Sequence, residues 1–181
     1  MSGIRRLVVI GLHLGLGIFL TGQGLMALAE TRLAPGATVE VDEKTRDEIL
    51  ATFHRAEQAI QARDLDALMA FYSSDYNYHG LNKLNVKKVW EDLFLDYSRI
   101  ATTHVFSSVR TIRSADGLMA EVTCAGMLWA TSDLTGLRVP LDSWYEEIHH
   151  LRKEDGAWRI RGHVGEIPRV LPFGTSPHPL F

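Results

Sequence analysis

Apolar residues recur with a helical period in the first half of the chain. Ile49, Phe53, Ala56 and Ile60 are spaced at i, i+4, i+7 and i+11, which places their side chains on one face of a helix. Similar apolar stripes occur twice more before the pattern changes. The predicted helices span residues 44–62, 65–72 and 85–97. We therefore expect three helices, each with one apolar face that must be covered.

Beyond the third helix the hydrophobic period changes from about 3.6 residues to two, which is typical of strands with one buried face. Turn residues punctuate this region at 114–117, 133–136 and 154–156, and the last two sets give the strongest hairpin signals. The predicted strands are a short one at 76–79 and four long ones at 103–113, 118–131, 141–153 and 158–167.

Helices followed by a run of antiparallel strands indicate an α+β fold. Each long strand has one apolar face to bury, and the three helices are the available cover. The predicted architecture is therefore a cone-shaped, curved antiparallel sheet of four long strands plus a short one, wrapped on three amino-terminal helices.

The first 29 residues differ in composition from the rest of the chain. Arg5 and Arg6 precede an apolar run at residues 7–20, and Ala27 and Ala29 supply the small residues of a cleavage site. This order is typical of a secretory signal peptide, and an uncleaved anchor is the alternative. The segment predicts export to the periplasm or secretion, with membrane contact only through this segment if it stays attached.

The rest of the chain divides into three parts. Residues 30–43 contain Pro35 and Gly36 and no period, so they are predicted to form a linker or a loose arm. A single domain is expected at residues 44–167. The last part, residues 168–181, contains four prolines and is predicted to be a tail without regular structure.

Composition and motifs exclude several classes of function. The 181 residues carry a formal net charge of −3, so the chain lacks the positive charge of a nucleic-acid-binding surface. The single cysteine, Cys124, excludes an internal disulfide and a multi-cysteine zinc site, and its apolar neighbours favour a buried side chain. HxH, HExxH and CxxC motifs and phosphate-binding glycine loops are missing, so we predict neither a metal nor a cofactor.

Three short segments carry a resemblance to a known family. The segment QARDLDALMAFY stands at residues 61–72, SDYNYHG at 74–80 and KEDGAWRI at 153–160. They resemble the opening, the first strand and the final hairpin of nuclear transport factor 2-like domains. The resemblance covers residues 44–167 and implies the cone fold shared with ketosteroid isomerases, scytalone dehydratase and SnoaL-like polyketide cyclases. It also implies a pocket between the concave sheet face and the helices.

The resemblance further implies that polar and aromatic side chains line this pocket. The candidates for catalysis are His79, His104 and Glu147, and the candidates for ligand binding are Tyr76, Tyr78, Trp90, Trp144, His150 and His163. A histidine can act as an acid or a base near neutral pH. A structural role in the core or on the surface is the alternative for each candidate.

Two of the histidines are neighbours on one predicted strand. His149 and His150 point to opposite faces, so only one can line the pocket and they cannot hold one metal ion together. By strict alternation His150 shares a face with Trp144, and His149 shares one with Glu147. The pattern leaves open which histidine faces the pocket.

Three classes of function stay open, because this fold hosts many activities. The first is binding of a small hydrophobic or amphipathic organic molecule in an internal apolar pocket. The second is a cofactor-independent isomerase or dehydratase that uses a histidine–carboxylate pair. The third is a non-catalytic assembly module whose pocket is filled by side chains. Relatives commonly dimerise through the outer sheet face, so the resemblance also implies a homodimer.

Overall fold

The structure is a computed structural model that describes residues 29–78, 80–114 and 117–162. His79, His163, the tail and nearly all of the predicted signal segment lie outside these residues, so export stays a prediction. Within the described ranges, no helix is both long enough and apolar enough to span a membrane.

Three helices form where the apolar stripes predict them: α1 at Glu43–Ala62, α2 at Leu65–Met69 and α3 at Lys83–Asp96. The Asp42 side chain caps α1 by accepting a hydrogen bond from Thr45 N at 2.6 Å. Asn82 and Asn85 form a capping box, in which each side chain accepts a hydrogen bond from the other residue's N–H. Because Asn82 is the cap, α3 begins earlier than the predicted start at Asn85.

A single sheet joins the strands that the structure describes. The strands are β1 Glu30–Glu40, β2 Tyr72–Tyr78, β3 Leu81–Asn82, β4 Tyr97–Ser114, β5 Gly117–Ser132, β6 Arg138–Glu154 and β7 Ala157–Gly162. Their spatial order is β1-β4-β5-β6-β7-β2-β3. The α+β class is confirmed. The sheet is mixed rather than purely antiparallel, because β1 runs parallel to β4 and β2 runs parallel to β7.

The segment before α1 is a strand and not the predicted linker or arm at residues 30–43. β1 pairs with the edge of β4, where Thr31 lies opposite His104. The register of this pairing shifts around Gly36, which has a φ of 77°. An edge strand tolerates a proline and a left-handed glycine, but they interrupt the two-residue period. Because of this interruption, the hydrophobic pattern did not predict the strand.

The sheet curls around α1. This helix packs against β1 and β4 at one end of the strand order and against β7 further along it. The ring of Phe53 in α1 meets the rings of Phe71, His104 and Phe106 edge-on, at centroid distances of 5.2, 5.0 and 4.9 Å. Such pairs stabilise a core beyond the area that they bury. Phe53 therefore holds α1 inside the curled sheet through ring contacts with β4 and with Phe71.

A bulge in β6 changes which of its side chains face α1. Glu146 has a φ of 53°, and the pairing of β5 with β6 shifts register between Cys124 and Gly126. An extra residue in one strand reverses the alternation of faces beyond it. Trp144 therefore shares the inner face with His149, whereas strict alternation would pair it with the neighbouring histidine.

Candidate functional site

The inner face of the cone carries polar side chains that contact one another, which we call the inner polar cluster. Its members are Glu57 from α1, Tyr78 from β2, His104 from β4, Cys124 from β5, and Trp144, Glu147 and His149 from β6. The curled sheet and the helix inside it bring together residues that are far apart in the sequence.

Glu57 is a carboxylate buried at one end of the cluster, with 4% of its surface exposed. Thr31 Oγ1 donates to its Oε1 at 2.5 Å, and His54 Nδ1 lies 3.1 Å from its Oε2. His104 Nδ1 lies 3.7 Å from Oε1. Burial alone would raise the pKa of Glu57, but the neighbouring His104 imidazole and the hydrogen bonds with Thr31 and His54 lower it below its ordinary value. The carboxyl group is therefore ionised at neutral pH.

His104 links this carboxylate to the middle of the cluster. Only 1% of its surface is exposed. Its imidazole lies between the Phe53 ring, at a centroid distance of 5.0 Å, and the Trp144 ring, at 5.1 Å. A histidine held against an ionised carboxylate can accept and return a proton.

Cys124 lies at the centre of the cluster as a neutral thiol. Trp144 Nε1 donates to its Sγ at 3.1 Å, and His149 Nε2 lies 3.0 Å from the same sulfur. Burial raises the pKa of the Cys124 thiol to about 12. The expectation that this cysteine is buried is confirmed. Its contacts with Trp144 and His149 show that the buried sulfur also takes part in polar interactions.

Tyr78 and Glu147 form the other end of the cluster. The buried Tyr78 hydroxyl donates to Glu147 Oε1, and Glu147 lies directly opposite Cys124 in the sheet. Glu147 is half-buried, so the cluster reaches solvent at this carboxylate. A phenol and a carboxylate in contact can donate to and accept from a hydroxyl or carbonyl group of a small molecule.

Tyr76 brings a further hydroxyl into the buried interior. Its ring packs edge-on against Tyr72 at 5.0 Å. Burial raises the pKa of Tyr76, so the hydroxyl keeps its proton at neutral pH. Within the described residues this hydroxyl and that of Thr102 have no hydrogen-bond partner. A buried polar group without a partner costs about 1–3 kcal/mol, so each hydroxyl has hydrogen-bonding capacity that the described residues leave unused.

The structure brings some of the predicted site residues together and separates others. His104, Glu147, Tyr78 and Trp144 belong to the inner polar cluster, and Tyr76 is buried nearby on the strand that carries Tyr78. Two candidates lie elsewhere. His150 is on the opposite face of β6, where its Nε2 lies 3.4 Å from Glu121 Oε2. Trp90 of α3 is in the core, where its Nε1 donates to the Tyr72 hydroxyl at 2.8 Å. His79 and His163 lie outside the described residues.

Three members of the cluster were not among the predicted site residues. Glu57 follows Phe53 by four positions in α1, so an acidic residue on the buried stripe was a signal in the sequence. His149 shared its predicted face with Glu147, but the pattern gave no preference over its neighbour. Cys124 was expected only to be buried. In the described part of the chain, no group of three histidine, cysteine or carboxylate side chains is placed to hold a metal ion.

A groove lies outside the cluster. An outer groove of about 500 Å³ runs between α1, α2 and β7. Among the residues that line it are Arg55, Ala56, Ala59, Ala62, Phe71 and Trp158. No member of the inner polar cluster contributes to it, so the two features are separate.

No known family profile matches the chain, and no curated protein does. Solved structures match its fold. A conserved protein from Planctomyces limnophilus is 15% identical, with 67% of this chain and 94% of that chain covered and a TM-score of 0.57. A proposed scytalone dehydratase from Novosphingobium aromaticivorans is 14% identical, with 74% and 95% covered and a TM-score of 0.52. Aln2 from a Streptomyces species is 13% identical, with 68% and 90% covered and a TM-score of 0.51. At these identities the likeness concerns the fold alone.

Proposed function

We propose that this chain, which has the nuclear transport factor 2-like cone fold that its sequence resembles, binds a small organic molecule at the inner polar cluster. One observation carries the proposal: the inner face holds the polar pairs Glu57–His104, Tyr78–Glu147 and Cys124–His149 where a purely structural core would use aliphatic side chains. Burying such groups is costly, and buried ionisable groups are concentrated at functional sites.

The proposed ligand is largely apolar and carries one hydroxyl or carbonyl group. Glu147 is the half-buried member of the cluster, so the ligand would enter there and exchange hydrogen bonds with Tyr78. The rings of Trp144, Phe53 and Phe106 would supply the apolar surface, which makes up most of the lining of small-molecule sites in general.

Titration with 2-naphthol, a neutral aromatic alcohol, tests this proposal by equilibrium dialysis. We expect saturable binding to the wild type, weakened about tenfold or more in Glu147→Gln, because a hydrogen bond to a charged group contributes about 1.5–3 kcal/mol. Tyr78→Phe should weaken binding in the same direction. Tyr145→Phe is the matched control, since this tyrosine is 78% exposed on the outer face. Equal binding in all four proteins would show that the ligand binds outside the inner polar cluster, and no binding to the wild type would leave the assembly module as the better interpretation.

A cofactor-independent isomerase or dehydratase is the second candidate, and the His104–Glu57 pair favours it. The buried imidazole lies 3.7 Å from an ionised carboxylate, which is the arrangement needed to take a proton from one atom and return it to another. Adding 3-cyclohexenone to the same experiment separates the two functions. Appearance of the conjugated 2-cyclohexenone indicates catalysis, and unchanged ketone indicates binding alone.

We also propose that two copies of the chain associate through the outer face of β4, β5 and β6. Tyr145 is 78% exposed and Ile148 is 45% exposed on this face, and large exposed apolar side chains on a sheet favour association. In analytical ultracentrifugation the wild type should sediment as a dimer, and the double variant Tyr145→Asp, Ile148→Asp should sediment as a monomer. Leu84→Asp on α3 is the control, since Leu84 is equally exposed but lies away from this face. A monomeric wild type contradicts the proposal.

A further inference from the structure

The outer groove combines a buried apolar floor with an exposed rim. Ala56, Ala59, Phe71 and Trp158 are buried and form the floor, and Ala62 at the end of α1 is exposed at the rim. Its volume of about 500 Å³ falls within the range of small-molecule sites, about 300–1,000 Å³. Small alanine side chains on two helices leave this space open beside two aromatic rings.

Two of the charged groups that line the groove are already engaged. The Asp64 side chain caps α2 by accepting from Ala67 N at 3.0 Å. Arg159 donates through Nη1 to Ala70 O at 2.8 Å, and its Nε lies 3.5 Å from Glu154 Oε2. These contacts fix both groups within the walls of the groove.

Arg55 is the third charged group, and most of its donors are unused. Its Nη2 donates to Thr52 Oγ1 at 2.9 Å, and no carboxylate of the described residues lies within ion-pair distance of it. A guanidinium carries five N–H donors in a planar fork that matches a carboxylate. The groove therefore offers an unpaired cation beside an apolar floor.

Lys83 adds a further positive charge beside Arg159, one of the residues that line the groove. Lys83, whose Nζ donates to Tyr72 O at 2.7 Å, lies close enough to Arg159 for their charges to interact. Burial, and after it the positive charge of Arg159, lowers the pKa of Lys83, although Glu154 acts in the opposite direction.

We propose that the outer groove binds an amphipathic monocarboxylate, with its hydrocarbon chain on the floor formed by Ala56, Ala59 and Trp158 and its carboxylate on Arg55. Charge complementarity selects the anion, and the apolar floor selects the chain. This site is independent of the proposed function, because it shares no residue with the inner polar cluster.

Isothermal titration calorimetry of the full chain with octanoate, below its micelle concentration, tests the proposal. We expect saturable binding to the wild type and affinity lower by about tenfold or more for Arg55→Ala. Ala62→Trp should abolish binding by filling the groove from its exposed rim. The neutral analogue 1-octanol should bind more weakly than octanoate. Arg46→Ala is the matched control, because Arg46 lies on the same helix and is paired with Asp47.

Three outcomes would overturn the site. They are the absence of octanoate binding, octanoate affinity unchanged in both groove variants, and 1-octanol binding as tightly as octanoate. Sedimentation with vesicles of phosphatidylcholine and phosphatidylglycerol that depends on Arg55 would instead assign the groove to a membrane surface, and it would also overturn the proposal. Binding of 2-naphthol should be unaffected by Arg55→Ala, so failure of the groove and failure of the inner site can be distinguished.

Discussion

Replacing Glu57 with alanine should lower the free energy of unfolding by about 2–3 kcal/mol, in the upper part of the usual cost of leaving a buried hydrogen-bonding group without its partner. The carboxylate ties α1 to β1 through Thr31 at 2.5 Å and to β4 through His104 at 3.7 Å. Its removal leaves the buried Thr31 hydroxyl without this acceptor, and an unsatisfied buried donor is costly. Urea unfolding followed by tryptophan fluorescence measures the change.

His54→Ala is the matched control for this carboxylate. His54 contacts the same Glu57 at 3.1 Å, but its side chain is 49% exposed. Solvent screens the interaction, so we expect a loss below about 1 kcal/mol. If the two variants were equally stable, the buried contacts of Glu57 would contribute no more to the free energy of unfolding than the exposed contact with His54.

The same group gives stability a dependence on pH. The folded state lowers the pKa of Glu57 below its unfolded value, so the folded state binds fewer protons in acid. Its stabilising contribution is full above the unfolded glutamate pKa of about 4.3 and is lost as the pH falls through the folded-state pKa. In thermal unfolding below about pH 4.3, Glu57→Gln should lose stability less steeply than the wild type. Parallel slopes would show that another group controls the acid response.

Gly126→Ala should destabilise the chain by about 3 kcal/mol, at the upper end of the usual cost of overpacking. A Cβ at this position would collide with the carbonyl oxygen of Thr103 and with the indole ring of Trp144. The indole has limited room to move, because its Nε1 donates to Cys124 Sγ at 3.1 Å and its rings pack on His104. Chemical denaturation of the variant measures the loss.

Two further variants separate the parts of this collision. The double variant Gly126→Ala, Trp144→Phe removes part of the collision with the indole ring and keeps the collision with the backbone oxygen of Thr103. Gly126→Ala should therefore cost less stability in the Trp144→Phe background than in the wild type, but it should still be destabilising. Ala125→Val is the control on the same strand, because Ala125 is half-buried on the outer face. We expect this change to be nearly neutral. A wild-type stability for Gly126→Ala alone would contradict the packing described.

The elements that a repeating pattern can encode were predictable. The apolar stripe at residues 44–62 became α1 with nearly the same limits, and the two-residue period became the long strands β4, β5 and β6. β1 was missed because Pro35 and Gly36 interrupt its alternation. The parallel pairing of β1 with β4 was not predictable, since the period of one strand carries no information about the direction of its neighbour.

The inner polar cluster was predicted only in part, and the reasons are local. Tyr78, His104 and Glu147 were identified by residue type together with the resemblance to a family. The position of Trp144 beside His149 depends on the bulge at Glu146, which no spacing rule anticipates because one extra residue exchanges the two faces. Glu57 was not predicted because a glutamate in a helix is usually exposed, although its position relative to Phe53 places it inward.

β1 determines what kind of edge the sheet presents to other copies of the chain. Without residues 30–40, the long strand β4 would present a row of unpaired N–H and C=O groups at an open sheet edge, and such an edge is a template for pairing with another chain. Glu57 would lose Thr31 at the same time. The segment predicted to be a linker or arm therefore replaces the long regular edge of β4 with an irregular edge strand, which disfavours edge-to-edge pairing with another copy.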